Sequence, residues 1–302
     1  THTRAVSEAN DQGRTHTRAV SEANDQGRTH TRAVSEANDQ GRTHTGMLGF
    51  HLEGPYISAQ YKGAHESKYI YPYEEGDIKF DNIKLLTMAP EIKNAEKLMQ
   101  KCRESKTIIS LGHSGADFEE SIRGIEMGGV CLTHIFNAMS PLNHRQPGLI
   151  GAAYEKNLFV QLIGDGIHIS PTVVKMVFDL FGSEKVILIS DAIRAAGLTD
   201  GEYSLVGQKV IVKNRKATLA NGVIAGSSML IPDMIKNLVS YGIRLEDVIR
   251  ACTYNPAELL GLQKEKGVIE SGAVADLVVL DRNLNVVHVF RNGIMVGCIP
   301  EQ

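Results

Sequence analysis

The sequence of 302 residues predicts an α/β fold, namely a (β/α)8 TIM barrel with a small β-sandwich domain. Short apolar stretches typical of buried parallel strands alternate along the chain with stretches of helical period. Six such strands are predicted, and five of them end in a residue that can do chemistry: Glu53, His113, His134, His168 and Asp191. Because the carboxyl ends of parallel strands meet at one edge of a barrel, we expect these five side chains to line one pocket.

The individual elements follow from the spacing of apolar residues and from the turn residues between them. Strands are predicted at residues 47–52, 83–89, 107–111, 130–133, 158–163 and 185–189, and helices at 91–104, 118–127 and 171–181. Beyond Asp191 the pattern predicts a hairpin at 203–219 and helices at 229–241 and 245–260. Antiparallel strands follow at 267–280 and 286–297, with a turn at Asn292-Gly293. We therefore expect the barrel at residues 46–262 and part of the small β-domain at residues 263–302.

The first 45 residues form a repeat that does not belong to this pattern. A unit of 14 residues occurs without change at 1–14, 15–28 and 29–42, and a fourth copy stops after Thr45. Each unit offers only Ala5, Val6 and Ala9 as apolar surface, which is too little to bury against a neighbouring copy. We expect residues 1–45 to be an appended or artefactual segment, disordered if present, and its histidines to be poor metal ligands: His2, His16, His30 and His44.

Composition and charge are those expected of a soluble globular protein. Hydrophobic residues make up 42% and charged residues 22%, and the formal net charge of -3 argues against nucleic acid or an anionic membrane as main partner. We find no apolar run near the roughly 20 residues that a membrane helix needs, and no signal-peptide pattern at the start. Cys102, Cys131, Cys252 and Cys298 are scattered, without C-x-x-C spacing. We expect reduced thiols and a cytoplasmic location.

Glu53, His113 and His134 form a set of one carboxylate and two imidazoles. Such a set can bind a borderline divalent ion such as zinc and leave a position for water. Bound metal lowers the pKa of that water, so that the water attacks an amide carbonyl that the metal polarises. Asp191 could take a proton from the water and return it to a leaving amine. Iron, manganese and cobalt also suit these ligands, so the sequence leaves the metal open.

Further polar residues suit contacts with a substrate. His65 and His168, as neutral imidazoles, are expected to donate hydrogen bonds to a substrate carbonyl or hydroxyl group. Arg145, with backbone N–H groups near Asn137 and Ala138, suits a phosphate group.

Each of these assignments has a structural alternative. Glu53 could cap a strand end, His113 could belong to a tight turn, and Asp191 could cap the next helix. Arg145 could be an ordinary surface charge. Gly226-Ser227-Ser228 could form a nest of backbone N–H groups for a phosphate, or could begin a helix, because serine is a good N-cap residue.

Nine short motifs occur in order between about Gly46 and Gly297. They are His51-Leu-Glu53-Gly-Pro55, Lys62-Gly-Ala-His65, Gly112-His113-Ser114, Thr133-His134-Ile-Phe-Asn137-Ala138-Met139, Pro147-Gly148-Leu149, Asp165-Gly-Ile-His168, Ser190-Asp191-Ala192, Ala225-Gly226-Ser227-Ser228 and Gly272-Ala-Val-Ala-Asp276-Leu-Val-Val-Leu. In this order and spacing, the chain resembles the N-acetylglucosamine-6-phosphate deacetylase family of the amidohydrolase superfamily.

The resemblance implies a metal-dependent hydrolase-type barrel and gives roles to individual residues. Glu53, His113 and His134 match the family's metal ligands, for one zinc or other divalent ion per chain, and Asp191 matches its catalytic acid/base. The family's substrate contacts match Ala64, His65, Asn137, Ala138, Arg145, His168, Ala225, Gly226 and Ser227. The implied reaction, part of amino sugar catabolism, hydrolyses N-acetyl-D-glucosamine 6-phosphate to D-glucosamine 6-phosphate and acetate. The family's arginine reaches the phosphate in a neighbouring subunit, which implies a homodimer.

The amino-terminal repeat departs from the family's pattern. Members of the family begin with part of the small β-domain and two barrel strands, the first often carrying a His-x-His metal motif, and the repeat matches none of these. We therefore expect a barrel whose first strands are missing, without a second metal site. Two rival hypotheses stay open: another amidohydrolase, dihydroorotase-like or aminoacylase-like, and a non-catalytic truncated remnant with two exposed sheet edges.

Overall fold

The computed structural model describes residues 46–298. The predictions for residues 1–45, including those for His2, His16, His30 and His44, lie outside the described residues. The described chain forms two compact units. The first comprises the chain up to Lys156 together with Asp191–Ser228, and the second comprises Asn157–Ser190 and the chain from Met229 onward. The predicted boundary at residue 262, between barrel and small β-domain, stays a prediction.

The described elements alternate between strands and helices as far as residue 189. In chain order they are β1 (Phe50–Glu53), a 3₁₀ helix (Ser67–Tyr69), β2 (Ile83–Met88), α1 (Ala95–Glu104), β3 (Ile108–Leu111), α2 (Phe118–Glu126), β4 (Gly129–Leu132), α3 (Gly148–Glu155), β5 (Phe159–Ile163), α4 (Pro171–Phe181), β6 (Val186–Ile189), β7 (Gly201–Leu205), β8 (Gln208–Lys213), β9 (Lys216–Leu219), α5 (Ile231–Ser240), α6 (Leu245–Cys252), α7 (Tyr254–Leu259), β10 (Leu277–Leu280), β11 (Val286–Arg291) and β12 (Ile294–Cys298). None of the helices among these described elements is long and apolar enough to cross a membrane.

Parallel strand pairing confirms the predicted α/β class. In the first unit β1 pairs with β2, β2 with β3 and β3 with β4, all parallel. In the second unit β5 pairs with β6, also parallel. The two short sheets β7-β8-β9 and β10-β11-β12 are antiparallel, as the alternating sequence pattern predicts.

Apolar burial accounts for the positions of these elements. Every residue of β6 is buried, and so is all of β2 except Lys84, as expected of parallel strands covered on both faces. Helix α1 buries the stripe that its period predicts: Ala95, Leu98, Met99 and Cys102. Each fully buried large aliphatic side chain contributes about 1.5–3 kcal/mol to folding, so these stripes determine which face of each element turns inward.

Local hydrogen bonds decide where two of the helices begin. Asp117 and Glu120 form a reciprocal capping box at the start of α2. Ser170 caps α4 and is followed by Pro171 at the first helical position, where its missing N–H costs no hydrogen bond. The predicted starts of these two helices are accordingly confirmed.

The structure differs from the predicted helix limits in three places. Helix α1 begins at Ala95 and not at residue 91, because Asn94 adopts a left-handed conformation and Glu91 bonds elsewhere. The predicted helix at 245–260 breaks at Thr253, since Pro256 has no N–H for the carbonyl group four residues earlier. Helix α3 was not predicted.

The strand predictions beyond Asp191 were also partly wrong. The hairpin predicted at 203–219 has three strands, because the chain turns at Val206-Gly207 as well as at Asn214-Arg215, with positive φ at all four residues. The strand predicted at 267–280 covers only Leu277–Leu280. The predicted turn at Asn292-Gly293 is confirmed, with φ of 49° and 78°.

Candidate active site

The ends of three parallel strands in the first unit carry Glu53, His113 and His134. Glu53 is the last residue of β1, and each histidine follows its strand by two residues. The strand register places Glu53 beside Thr87 and Thr87 beside Ser110. Both histidines have positive φ, 49° for His113 and 29° for His134, so the backbone turns sharply where each ring leaves its strand.

These three side chains converge on one point. The Oε1 atom of Glu53 lies 2.8 Å from Nε2 of His113 and 2.8 Å from Nε2 of His134, and the two Nε2 atoms are 3.0 Å apart. Both imidazole side chains are 5% exposed and the carboxylate is 14% exposed. Within residues 46–298 this is the single cluster of at least three such side chains that could hold a metal ion. Three of the five side chains predicted to meet therefore lie together, whereas a shared pocket that includes His168 stays a prediction.

Burial and hydrogen bonding oppose each other in the pKa values of this cluster. Burial raises the pKa of Glu53, but hydrogen bonds and charge attraction from the two histidines outweigh it and hold that pKa well below its ordinary value. Burial lowers the pKa of His134, whereas the carboxylates of Glu53 and Asp191 raise it, and the net direction is upward. The cluster therefore favours positive charge beside the Glu53 carboxylate.

The donor set fits a divalent ion. The Nδ1 atom of His113 lies 2.8 Å from the carbonyl oxygen of Tyr61, so Nδ1 carries the proton and, in the neutral ring, Nε2 presents a lone pair. That lone pair faces a carboxylate oxygen and a second imidazole nitrogen. One carboxylate oxygen and two imidazole nitrogens, all within 4.8 Å of one another, are the types of ligand atom that zinc and similar divalent ions take. Three acceptor atoms at these distances suit a shared cation.

A buried chain of hydroxyl groups lies on the same strands. Nε2 of His51 is 2.7 Å from Oγ1 of Thr87, which is 2.7 Å from Oγ1 of Thr133, and Ser110 Oγ lies 2.5 Å from that same Thr133 atom. Thr87, Ser110 and Thr133 are almost completely buried. The sequence analysis missed this chain, although hydroxyl residues at inward positions of otherwise apolar strands were a signal for it.

Asp191 lies in the same unit as the three converging side chains. It follows β6 by two residues, has a φ of 46°, and is near enough to His134 to raise the pKa of that ring. Its backbone carbonyl accepts a hydrogen bond of 2.8 Å from the N–H of Ser227, and Ile193 N–H donates to Ser227 O at 3.0 Å. No helix begins in the described stretch between Asp191 and β7, so the helix-cap alternative for Asp191 was wrong.

The Ala225–Ser227 loop packs against the Asp191 backbone. A Cβ atom on Gly226 would lie 2.8 Å from Asp191 O, and Gly226 has a φ of 63°, so glycine permits both the turn and the close approach. Helix α5 begins only at Ile231, and Ser228 Oγ donates to Arg215 O. The helix-start alternative for Gly226-Ser227-Ser228 was therefore wrong, whereas substrate binding by Ala225, Gly226 and Ser227 stays a prediction.

His65 and His168 each hold Nδ1 against an oxygen atom of a nearby residue. Nδ1 of His65 is 3.0 Å from Lys62 O, and Nδ1 of His168 is 2.7 Å from Asp165 Oδ2. Each Nδ1 thus donates to an oxygen, and the neutral rings offer Nε2 as an acceptor. In that neutral form each Nε2 atom would accept from a substrate hydroxyl group, and donation to a substrate by His65 and His168 stays a prediction. Burial lowers the pKa of His65, which favours its neutral form.

These two histidines occupy different surroundings. The ring of His65 packs edge-to-face on His113 with centroids 4.9 Å apart, and the carbonyl oxygen of Ala64 accepts a 3.0 Å hydrogen bond from Gln208 Nε2. His168 belongs to the second unit, where Asp165 also accepts from the backbone N–H of His168. His65 therefore lies beside the cluster of Glu53, His113 and His134.

The loop behind His134 carries the remaining predicted contacts. Asn137 Nδ2 donates to the carbonyl oxygens of His134 and Ile135, and Asn137 N–H donates to His134 O at 3.0 Å. The Asn137 backbone N–H is therefore engaged within the loop, which corrects the idea that it is available to a phosphate. Ala138 has a φ of 49°, and its carbonyl accepts from Ser114 N–H. Arg145 lies on the exposed stretch between β4 and α3.

Comparison with known proteins identifies the class. A sequence profile described as the amidohydrolase family matches residues 4–296. The chain belongs to the amidohydrolase family. The convergence of a carboxylate and two imidazoles at strand ends, next to an aspartate, agrees with the metal-assisted hydrolysis that such sites can perform.

Within that family the chain is similar to N-acetylglucosamine-6-phosphate deacetylases. The deacetylase of Bos taurus is 32% identical over 272 residues, and that of Bacillus subtilis strain 168 is 36% identical over 259 residues. These alignments cover 85% and 82% of this chain but 66% and 64% of the two relatives. The chain thus spans a little less than two thirds of the length of these relatives.

Solved deacetylase structures share the fold. The crystal structure of the Thermotoga maritima deacetylase matches with a TM-score of 0.84 at 36% identity, over 90% of this chain and 75% of that chain. A mutant from Mycobacterium smegmatis in complex with N-acetyl-D-glucosamine-6-phosphate matches with a TM-score of 0.83 at 31% identity, over 90% and 74%. These matches confirm the predicted fold class and the resemblance stated from the motifs.

Proposed function

We propose that this protein is a metal-dependent amidohydrolase that removes acetate from N-acetyl-D-glucosamine 6-phosphate and leaves D-glucosamine 6-phosphate. The observation that carries the proposal is the triangle of Glu53, His113 and His134 with Asp191 close by. The substrate is inferred from the deacetylase relatives and from the mutant relative crystallised with this sugar phosphate.

Asp191 moves the proton in the proposed reaction. A divalent ion held by Glu53, His113 and His134, zinc in our proposal, would polarise the acetamide carbonyl and lower the pKa of water. Asp191 accepts a proton as the water oxygen bonds to the amide carbon. It then donates that proton to the leaving nitrogen as the C–N bond breaks, so acetate and a free amine result.

The remaining residues bind the sugar phosphate. His65 and His168, with Nε2 as acceptors, take hydrogen bonds from substrate hydroxyl groups. Arg145 binds the phosphate group, for which a guanidinium group is well suited. The exposed position of Arg145 supports a role across a subunit interface, and we propose a homodimer in which Arg145 reaches the substrate of the partner. Free thiols at Cys102, Cys131 and Cys252 support a cytoplasmic location.

Acetate release tests the proposed reaction. The metal is removed with a chelator, zinc is added back, and acetate is measured with N-acetylglucosamine 6-phosphate as substrate. Turnover should stop and return with the metal. Asp191→Asn should bind zinc as the unmodified protein does but lose about 10²–10⁴-fold in kcat, while His144→Asn, on the exposed loop, should be unaffected. Zinc-loaded protein without turnover would favour the non-catalytic remnant.

Mixing two defective variants tests the subunit arrangement. In a dimer of Asp191→Asn with Arg145→Ala, one of the two sites has an intact Asp191 and receives Arg145 from the other subunit. After free exchange of subunits, half of the dimers are mixed. About a quarter of all sites should therefore be active at low substrate concentration. If Arg145 acts within its own subunit, the mixture should show only the average of the two separate variants.

A further inference from the structure

The loop that carries His113 is held by neighbouring segments of the first unit. Toward β1, His113 O accepts from Ser58 N–H at 2.9 Å, and the His113 ring is bonded to Tyr61 O. Toward β4, Ser114 N–H donates to Ala138 O at 3.2 Å, and Ser114 O accepts from Ser140 N–H at 3.1 Å. Ser114 thus joins the loop of one metal ligand to the loop that follows the other.

Glu91, which follows β2, binds the same loop through both of its carboxylate oxygens. Ser114 Oγ donates to Oε2 of Glu91 at 2.8 Å, and Gly115 N–H donates to Oε1 at 2.7 Å. The Ser114 hydroxyl oxygen in turn accepts from Ala116 N–H at 3.0 Å, and Ser114 is completely buried. The second strand was the one predicted strand that ended without a residue assigned to the chemistry. Glu91, which follows that strand, instead binds the neighbouring loop through its carboxylate.

The His113 loop needs such an anchor because its backbone is strained. His113 has a φ of 49°, a left-handed conformation that is unfavourable for a residue with a Cβ atom. The ring must nevertheless keep Nε2 at 2.8 Å from Glu53 Oε1 and 3.0 Å from His134 Nε2. A metal site tolerates displacements of only about 0.5 Å. Two hydrogen bonds to an anion, placed on the two residues after His113, oppose relaxation of this turn.

We propose that Glu91 is a positioning residue for the metal ligand His113, acting through Ser114 and Gly115. This inference rests on the proposed metal-dependent function. The Glu91 carboxylate bonds to Ser114 and Gly115, so its effect is to hold the turn in which His113 presents Nε2. Through the Ser114–Ala138 hydrogen bond, the same carboxylate also steadies the loop behind His134.

Glu91→Gln tests the hydrogen bond to Ser114 with little change in the shape of the side chain. Burial raises the pKa of Glu91, although the hydrogen bonds from Ser114 and Gly115 act in the opposite direction. Glutamine has nearly the same shape and can still accept from Gly115 N–H, but its amide cannot accept the Ser114 hydroxyl proton as well. Glu91→Gln should therefore weaken the contact with Ser114 while the variant stays folded, which the melting temperature checks.

Zinc affinity of the metal-free protein is the decisive measurement. Glu91→Gln and Ser114→Ala are titrated with zinc against a chromophoric chelator, beside Glu96→Gln as a control with the same charge change on the exposed face of α1. Both test variants should bind zinc about tenfold or more weakly, as supporting residues around metal ligands do. The visible spectrum of bound cobalt should change in both variants, whereas Glu96→Gln should match the unmodified protein.

The outcomes separate this inference from the proposed function. If the unmodified protein binds zinc and both test variants bind it equally well, Glu91 has no positioning role and the deacetylase proposal stands. If the unmodified protein binds no metal, the proposed function fails and this inference fails with it. Should Glu91→Gln unfold at lower temperature, Ser114→Ala decides: weaker binding supports the role, and unchanged binding overturns it.

Discussion

Replacing Glu53 with glutamine should remove most of the metal affinity of this protein. Its Oε1 atom contacts both histidine nitrogens at 2.8 Å, and the side chain is only 14% exposed, so water screens it little. A hydrogen bond to a charged group contributes about 1.5–3 kcal/mol. Two such contacts are lost when the Glu53 charge is removed, which corresponds to about 3–6 kcal/mol of interaction free energy. For a cation bound between Glu53 and the two histidines, this loss lowers the affinity about 10²–10⁴-fold.

Zinc titration of the metal-free Glu53→Gln protein measures this loss directly. The dissociation constant is obtained in competition with a chelator of known affinity, and circular dichroism confirms that the variant is folded. Glu96→Gln, which changes the same charge on an exposed surface, should bind zinc normally. A Glu53→Gln variant that binds zinc within about threefold of the unmodified protein would refute the ligand assignment, since about 0.7 kcal/mol is too little for a lost anionic ligand.

Three further predictions concern the substrate and the loops. Arg145→Ala should raise KM for N-acetylglucosamine 6-phosphate about 10–100-fold but leave KM for the unphosphorylated sugar nearly unchanged, and equal changes in steady-state kinetics would favour a different amidohydrolase. Burial raises the pKa of Asp165, but hydrogen bonds from His168 outweigh burial, and the net pKa lies below its ordinary value. The carboxylate therefore stabilises the fold above about pH 4 and loses this effect as the pH falls through the lowered pKa. In denaturant titrations Asp165→Asn should therefore be destabilised at about pH 6 and approach the unmodified protein as the pH falls below the ordinary aspartate pKa. A difference independent of pH would contradict this. Gly226→Ala should cost about 1–3 kcal/mol and reduce kcat, because its Cβ would meet Asp191 O at 2.8 Å, and a fully active variant with an unchanged melting temperature would argue against a supporting role for this loop.

The candidate metal ligands could be found from sequence because parallel strands all run in the same direction. Glu53, His113 and His134 each follow a short apolar strand, and the ends of parallel strands lie at one edge. Neither fact requires knowledge of the loops. The same reasoning placed Asp191 at the end of β6, and its effect on the pKa of His134 agrees with a position near the cluster.

The residues that support the site could not be found in this way. Glu91 looks in the sequence like the first residue of a helix, yet its carboxylate bonds to Ser114 and Gly115 more than twenty residues further along. The proton positions of His65 and His168 also depend on their partners, Lys62 O and Asp165. Such contacts depend on loop conformations, for which apolar periodicity carries no information.

The sequence by itself determined the class of fold, the order of its strands and the chemical types at their ends, because burial of apolar stripes and strand polarity are local properties. Only the tertiary structure decided which groups are in contact. These contacts are the 2.8 Å distances from Glu53 to the two histidines, the hydrogen bond between His168 Nδ1 and Asp165, and the hydrogen bond from Gly115 to Glu91. Those features depend on distances of a few ångströms between loops far apart in the chain. Only the packed backbone, with its left-handed turns at His113, His134 and Asp191, sets such distances.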